Sequence, residues 1–149
     1  MKEKICCFCG HREILAEDCR RKTANIITYL IEHDSVTTFY SGHMGEFDRL
    51  CEDCVVSAKN KYKNIRLCWV SPYLTAKNYA YKSGIFDEII IPDLDDVHYK
   101  RAITIRNRYM ADKSEIMLCY VKRDYSGAYE MMKYGRGTGI RIIMYDEEI

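Results

Sequence analysis

The sequence contains few residues that would divide it into segments and has no long apolar run. Its 149 residues include only two prolines, Pro72 and Pro92, and one tryptophan. No proline-rich linker interrupts a chain of this length, which is typical of one domain with its own core. No apolar run approaches the ~20 residues needed to cross a bilayer. The run from Ile5 to Cys9 stops at Gly10 and is too short for a signal peptide.

The sequence also lacks an excess of charge of either sign. It has 23 Lys and Arg residues against 22 Asp and Glu residues, a formal net charge of +1. No overall field then attracts the chain to nucleic acid or to anionic lipid, and we expect neither as a partner. Eight cysteines without a secretory signal favour a reducing compartment in which they remain thiols. We therefore predict a cytoplasmic protein.

Short apolar runs alternate with helical patterns along the chain. The predicted strands are 5–9, 36–40, 65–70, 86–91, 116–121 and 140–145, and the predicted helices are 19–33, 45–62, 104–113 and 126–134. The strands are almost wholly apolar, as expected where helices cover both faces of a sheet. The alternation predicts one Rossmann-like α/β/α domain over residues 1–149, with three layers and a mainly parallel sheet. Ligands of such sheets bind beyond the carboxyl ends of the strands.

The tripeptide Gly10-His11-Arg12 follows the first predicted strand. Glycine would let the backbone turn tightly there, and Arg12 would place a cation with several donors at the crevice. Taken alone, the tripeptide is explained better as a surface turn that carries a solvated arginine.

The segment from Ser41 to Asp48 follows the second predicted strand and is rich in glycine and acids. Gly42 and Gly45 would permit a ligand to approach the backbone, and the helix that begins near Gly45 would offer N–H groups to a phosphate. Glu46 and Asp48 would either cap that helix or accept hydrogen bonds from ribose hydroxyls. The segment is neither the G-x-G-x-x-G fingerprint nor a P-loop.

Two cysteines in the same predicted helix, Cys51 and Cys54, have two interpretations. They belong to one apolar face, which comprises Phe47, Leu50, Cys51, Cys54, Val55 and Ala58. A structural zinc would need about two more ligands, and the cysteines of segment 6–9 would point to opposite faces of a strand. We therefore predict buried thiols and no metal, with zinc as the minor alternative.

Arg106 and Asn107 lie in a predicted helix whose start has two alternatives. With Thr104 as the N-cap, Arg106 falls in the first turn, where a cation opposes the helix dipole. With a start near Tyr99, Arg106 lies in mid-helix on the inner face. Both alternatives predict an anionic or polar partner for Arg106.

Three further segments have paired interpretations. Ser126 and Gly127, after the fifth strand, would bring a second helix N-terminus to the crevice, although simple capping also explains Ser126. The glycine-rich segment 135–139 follows a helix and precedes a strand, which predicts a helix C-terminus at the opposite edge of the sheet. The tyrosine-rich segment 73–81 is either a lid that stacks on a base or a half-buried helix.

Three of these segments, in this order, resemble the SLOG superfamily and especially its YpsA-like bacterial branch of unknown function. They are Cys6–Arg12, Ser41–Asp48 and Arg106–Asp112. The resemblance covers nearly the whole chain and implies a Rossmann-like domain that binds a nucleotide or nucleotide-derived ligand. It adds weight to ligand contacts at Gly10, Arg12, Gly42, Gly45, Asp48, Arg106 and Asn107.

Other members of the superfamily suggest two alternative functions. The DNA-processing protein A family binds single-stranded DNA, and the LOG-type phosphoribohydrolases cleave nucleotides. The hydrolases carry Pro-Gly-Gly-x-Gly-Thr followed by a glutamate, whereas this chain has only Asp124 to Ala128 after its fifth strand. That departure argues against the hydrolase activity.

The sequence thus predicts a domain that binds a small nucleotide or an ADP-ribose-like or NAD-like ligand, with no other cofactor. The predicted binding residues are Gly10, His11, Arg12, Ser41, Gly42, Gly45, Asp48, Arg106, Asn107, Ser126 and Gly127. An alternative is a nucleotide-directed hydrolase with Glu46 or Asp48 as the acid or base and His11 or His43 assisting. Another is a single-stranded nucleic-acid binder, against which the balanced charge argues. A homo-oligomer is compatible with the sequence.

Overall fold

The computed structural model describes residues 2–15, 19–72, 84–92 and 98–149, so the tyrosine-rich segment 73–81 lies outside the described residues. The strands are β1 (Ile5–Gly10), β2 (Thr38–Ser41), β3 (Arg66–Val70), β4 (Glu88–Ile90), β5 (Ile116–Tyr120) and β6 (Arg141–Met144). The described helices are α1 (Cys19–His33), α2 (Glu46–Ala58), α3 (Tyr99–Lys113) and α4 (Gly127–Thr138). None of these helices has the length and apolar character needed to cross a bilayer.

The six strands form one parallel sheet in the order β4-β3-β2-β1-β5-β6. Strand β1 pairs with β2 on one side and with β5 on the other. The chain therefore changes direction across the sheet at β1, and the crevice between β1 and β5 is the switch point at which such sheets bind ligands. The predicted Rossmann-like α/β/α architecture is confirmed.

Among the described residues, one pair of helices packs on each face of the sheet. The core on the first face joins β1 to α1 and α2 through Cys6, Phe8, Ile26, Ile27, Leu30, Phe47, Leu50 and Cys51. The core on the second face joins β1 to α3 and α4 through Cys7, Cys9, Met110, Ala111, Met131 and Met132. The alternation predicted for the cysteines of segment 6–9 is thus confirmed, because successive side chains of a strand point to opposite faces.

The eight cysteines are free and buried. Cys51 and Cys54 pack in the core on the α1–α2 side, as their apolar face predicted. Burial raises the pKa of the Cys54 thiol to about 11. Within the described ranges, no group of three or more His, Cys, Asp or Glu residues is arranged to hold a metal ion.

Several predicted boundaries were wrong. Helix α2 ends at Ala58 rather than at Tyr62, and β4 begins at Glu88, so Phe86 is not part of it. Helix α4 continues past Tyr134 and through Gly135 to Thr138. A Cβ at Gly135 would lie 2.7 Å from the Met117 methyl carbon, so glycine lets this helix approach the sheet.

The end of α4 agrees with the prediction. Gly139 adopts a left-handed conformation with φ of 82° and caps the helix through an N–H that donates to the Arg136 carbonyl. The glycine-rich segment therefore terminates a helix on the side opposite the switch-point crevice, as expected for a chain that next enters β6.

Candidate functional site

A cavity of about 270 Å³ opens at the carboxyl end of β1, at the switch point. Most of the predicted ligand-binding residues line it: Gly10, His11, Arg12, Gly42, Asp48, Arg106, Asn107, Ser126 and Gly127. Ser41 and Gly45 are not in its lining, and Arg123, which was not predicted, is. Loops after β1, β2 and β5 and the inner face of α3 thus meet at one place.

Arg106 is the most deeply buried charged group of the cavity, with 2% of its surface exposed. Because α3 begins at Tyr99, Arg106 lies in mid-helix, and the alternative with Thr104 as the N-cap was wrong. Its Nη1 donates to the carbonyls of Gly42 at 2.9 Å and Val70 at 3.0 Å. Its Nε donates to the Asn107 side-chain oxygen at 2.9 Å. Arg106 therefore ties α3 to the ends of β2 and β3.

The glycines around the first two turns make room for the protein itself. A Cβ at Gly42 would lie 2.9 Å from the Arg106 guanidinium carbon, and one at Gly10 would lie 2.2 Å from the Phe47 ring. Gly45 has φ of 143°, and its Cβ would lie 2.5 Å from the Arg12 Cα. Packing therefore requires glycine at positions 10 and 45, and a side chain at Gly42 would displace the end of Arg106, which is hydrogen-bonded there.

Gly127 differs from those three glycines. A Cβ built on it would meet no atom within 4 Å, and its φ is not in the left-handed region. Neither packing nor backbone conformation requires glycine at this position. Gly127 lines the cavity at the first residue of α4, where the N–H groups of a helix have no acceptor within it.

Asp48 contributes a buried carboxyl to the cavity. It is 8% exposed, and its Oδ2 accepts a hydrogen bond from the Met44 N–H at 2.9 Å. Burial raises the pKa of Asp48 to about 6, against the lowering effects of the Met44 N–H and the Arg106 charge. Asp48 thus binds the loop just before α2, whose N-cap Gly45 has no side-chain hydrogen bond, and it also lines the cavity.

The other candidate acid and base residues lie away from the cavity. Glu46 is exposed, and its carboxylate accepts a long hydrogen bond of 3.5 Å from the Ile14 N–H. His43 is bound to Glu52 instead. Of the two carboxyls predicted as an acid or base, only Asp48 reaches the cavity, and of the two histidines only His11 does.

Glu52 is a buried residue that the sequence pattern did not single out. It is 2% exposed and accepts hydrogen bonds from the Ser41 hydroxyl at 2.6 Å and from His43 Nδ1 at 2.9 Å. The hydrogen bond to Glu52 raises the pKa of His43, which has a positive φ of 53°. These bonds hold the β2–α2 loop. Glu52 lies four residues after Asp48 and so shares its side of the helix, a spacing that could have revealed it.

His11 is 3% exposed and has a fixed hydrogen-bonding arrangement. Its Nε2 accepts the backbone N–H of Lys122 at 2.8 Å, so the ring proton of the neutral form is on Nδ1. Nδ1 is buried and has no hydrogen-bond partner among the described residues. Burial, and secondarily the positive charge of Arg123, lowers the pKa of His11, so the neutral form prevails at pH 7.

The first turn of α4 completes the cavity on the β5 side. The Ser126 hydroxyl accepts the Tyr129 N–H at 3.1 Å, which confirms the predicted N-cap. The Cys9 thiol donates to the Ala128 carbonyl at 3.1 Å and joins this turn to β1. Two exposed guanidinium groups, those of Arg12 and Arg123, flank the opening.

Comparison with known proteins supports the fold. No protein-family model and no curated protein sequence matches the chain. DNA processing protein A from Streptococcus pneumoniae is similar in structure, with a TM-score of 0.70 and 13% identity over 95% of this chain and 50% of that chain. The same protein from Helicobacter pylori, described in its single-stranded DNA binding mode, gives a TM-score of 0.68 and 13% identity over 95% of this chain and 64% of that chain.

These similarities concern the fold alone. At 13% identity they support the Rossmann-like fold and do not transfer an activity. The chain spans 50% and 64% of the two similar proteins, so each of them has a substantial part with no counterpart in this chain.

Proposed function

We propose that the chain binds a nucleotide or nucleotide-derived ligand in the cavity at the switch point. The observation that carries the proposal is the convergence there of Arg12, Arg123, the N-terminus of α4 and the Asp48 carboxyl. Guanidinium groups and helix N–H groups suit a phosphate, and a carboxylate suits the hydroxyls of a sugar. Within the SLOG-like fold, the three sequence segments favour the YpsA-like branch.

The contacts divide the arginines between two roles. Arg106 already donates to the Gly42 and Val70 carbonyls, so it shapes the cavity and supports Asp48 through its charge. Arg12 and Arg123 are exposed at the rim and able to turn toward a phosphate. The nucleotide would therefore be attracted by the two rim arginines, while Arg106 keeps the floor of the cavity in place.

The size of the cavity favours a ligand that extends beyond it. Its volume of about 270 Å³ lies just below the ~300–1,000 Å³ of most small-molecule sites. A groove of about 750 Å³ between α3 and α4 adjoins it and shares Ile103, Asn107, Gly127 and Met131. A phosphate and sugar would occupy the cavity, and the remainder of the ligand would lie in the groove.

Thermal unfolding with a panel of ligands tests the proposal. The panel comprises AMP, ADP-ribose and NAD, with adenosine as the control that lacks phosphate. A ligand at 100 times its dissociation constant adds about 2.7 kcal/mol to the free energy of unfolding. We expect a rise in the melting temperature of several degrees with at least one phosphorylated ligand and little change with adenosine. A melting temperature that no nucleotide raises would refute the proposal.

Single-stranded DNA is the second candidate ligand. The Helicobacter pylori relative in fold is described with single-stranded DNA, and the first turn of α1 carries Arg20, Arg21 and Lys22 without an acid. The formal net charge of +1 weighs against a long phosphate footprint. Fluorescence anisotropy of a labelled oligothymidine, with a duplex as control, distinguishes the two ligands. Binding that weakens steeply with added salt and exceeds that of AMP would favour DNA.

A further inference from the structure

We infer that His43 and Glu52 position the β2–α2 loop for nucleotide binding, and that they do so best while His43 is protonated. Binding in the cavity should therefore weaken as pH rises. The inference rests on the proposed function and concerns the regulation of that same site. His43 does not line the cavity, so it acts through the residues on either side of it.

The two neighbours of His43 in the chain, Gly42 and Met44, both line the cavity. The Gly42 carbonyl accepts a hydrogen bond from Arg106 Nη1 at 2.9 Å. The Met44 N–H donates to Asp48 Oδ2 at 2.9 Å, and the Met44 sulfur lies 3.3 Å from Arg106 Nη2. A displacement of His43 would therefore move the groups that orient the Arg106 guanidinium and the Asp48 carboxyl.

The carboxylate of Glu52 needs a positive charge beside it. Glu52 is 2% exposed, and a buried carboxylate is destabilising unless a cation and hydrogen-bond donors compensate it. The Ser41 hydroxyl donates to it at 2.6 Å, and its ion pair is with His43 Nδ1 at 2.9 Å. A neutral imidazole still donates its Nδ1–H, but only the protonated ring adds the charge. Loss of the proton therefore weakens the contact that holds the loop.

The charged groups around His43 favour its protonated form. The hydrogen bond to Glu52 is the main cause of a raised pKa of His43; Asp48 also favours the proton, and Arg49 opposes it. The contacts from β3 and from the segment before β4 are aromatic rings without charge. Because the folded-state pKa is raised, the stabilising charge is present at low pH and is lost as pH rises through that pKa.

The backbone at His43 explains why a weaker contact would release the loop. Its φ of 53° lies in the left-handed region, which residues other than glycine adopt at a cost. The His43 ring is held by Glu52 and lies against the rings of Trp69 and Phe86, with centroids 4.9 Å and 5.3 Å away. When the bond to Glu52 weakens, the strained backbone favours relaxation, and the two cavity residues beside His43 move with it.

The substitution His43→Asn separates protonation from hydrogen bonding. Asparagine places an amide N–H near the position of Nδ1 and tolerates a positive φ, but it does not take up a proton. Glu52→Gln removes the charge partner instead. The control is His33→Asn, at an exposed histidine at the end of α1.

Titration calorimetry with ADP-ribose at pH 6 and pH 8.5 measures the effect, because the pyrophosphate of this ligand does not titrate in that range. We expect wild-type binding to weaken by about fivefold more than His43→Asn binding between the two pH values. Glu52→Gln should lose the same pH dependence, and His33→Asn should keep it. Should only AMP bind, it replaces ADP-ribose, because its phosphate titrates alike with every variant.

The outcomes separate this inference from the proposed function. Equal pH dependence in wild type and His43→Asn would overturn the inference while leaving nucleotide binding intact. Failure of ADP-ribose and of AMP to bind the wild type at either pH would overturn both.

NMR of the wild type decides the matter if His43→Asn does not fold. The ring C–H resonances of His43 report its pKa with and without saturating ligand. Since coupling between two binding events is reciprocal, a ligand that binds the protonated form more tightly must raise the pKa of His43 by the same factor. A pKa that bound ligand leaves unchanged would overturn the inference.

Discussion

Helices α2 and α4 both begin at the cavity, and their first turns differ in the side chains that surround their N–H groups. Helix α2 has two acids in its first turn, Glu46 and Asp48, and its entry loop is held by Glu52. Helix α4 has one acid there, Glu130, which is exposed, and a glycine with open space around it. At α2 the Glu46 N–H donates to the Arg12 carbonyl, whereas at α4 the Ser126 hydroxyl accepts the Tyr129 N–H.

The comparison shows that a helix N-terminus after a strand is not sufficient to identify an anion site. The dipole and the free N–H groups are present in every helix, but they attract a ligand only where side chains have not already neutralised them. Just before α2 the Asp48 carboxyl accepts the Met44 N–H, and at α4 the uncharged Ser126 hydroxyl accepts the Tyr129 N–H. Substitutions near the start of α2 and at the start of α4 test whether the two helix N-termini differ in this way.

The largest loss of stability is expected from Arg106→Met, which removes the hydrogen bonds that join α3 to the β2–α2 loop. The variant leaves the buried carbonyls of Gly42 and Val70 without their donor and Asp48 without its nearby positive charge. We expect the free energy of unfolding to fall by about 3–5 kcal/mol. Urea unfolding measures it, with the exposed Arg108→Met as the control. A loss below about 1 kcal/mol would show that the hydrogen bonds of Arg106 to the ends of β2 and β3 contribute little to stability.

The second-largest loss of stability is expected from Gly45→Ala at the start of α2. The new Cβ would meet the Arg12 Cα at 2.5 Å, and φ of 143° is strained for alanine. We expect a loss of about 2–3 kcal/mol in the free energy of unfolding. Thermal or urea unfolding measures the change. A variant as stable as the wild type would mean that the loop can move to admit a side chain, and therefore also a ligand.

Asp48→Asn should change how stability depends on pH. Because the pKa of Asp48 is raised to about 6 in the folded state, the folded protein binds this proton more tightly than the unfolded chain. The protonated carboxyl therefore favours folding, and this contribution is lost as pH rises from about 4 to about 6. We expect the loss to be about 2–3 kcal/mol in the wild type and absent in Asp48→Asn.

Urea unfolding between pH 4 and pH 7 provides that measurement. The difference between the two proteins isolates Asp48, because His11 and His43 titrate in both. A difference that stays constant across this range would show that Asp48 has an ordinary pKa and is not desolvated in the cavity.

The smallest effect on stability is expected from Gly127→Ala at the start of α4. The added methyl group meets no atom within 4 Å, so the free energy of unfolding should change by less than about 0.5 kcal/mol. Because the methyl group would lie where a ligand approaches the first N–H groups, AMP should nevertheless bind more weakly. Unfolding and calorimetry on the same sample separate the two effects. A large loss of stability would contradict the contrast between Gly45 and Gly127.

Local patterns in the sequence were sufficient to predict much of the fold. The alternation of apolar runs and helical faces predicted the order of the elements and the three layers. Period-two alternation correctly separated Cys6 from Cys7 and Cys9, and the N-cap at Ser126 was also correct. These features depend on residues a few positions apart, which is the range over which backbone periodicity and capping act.

The sequence by itself therefore determined the layers, the sheet edge at which the cavity opens and most of the residues that line it. Only the tertiary structure decided which of those residues already have hydrogen-bond partners within the protein. The Arg106 guanidinium fills the space beside Gly42, 64 residues away, and the Lys122 N–H fixes the tautomer of His11 from 111 residues away. Such pairings follow from the way the strands are brought side by side, and no local periodicity encodes them.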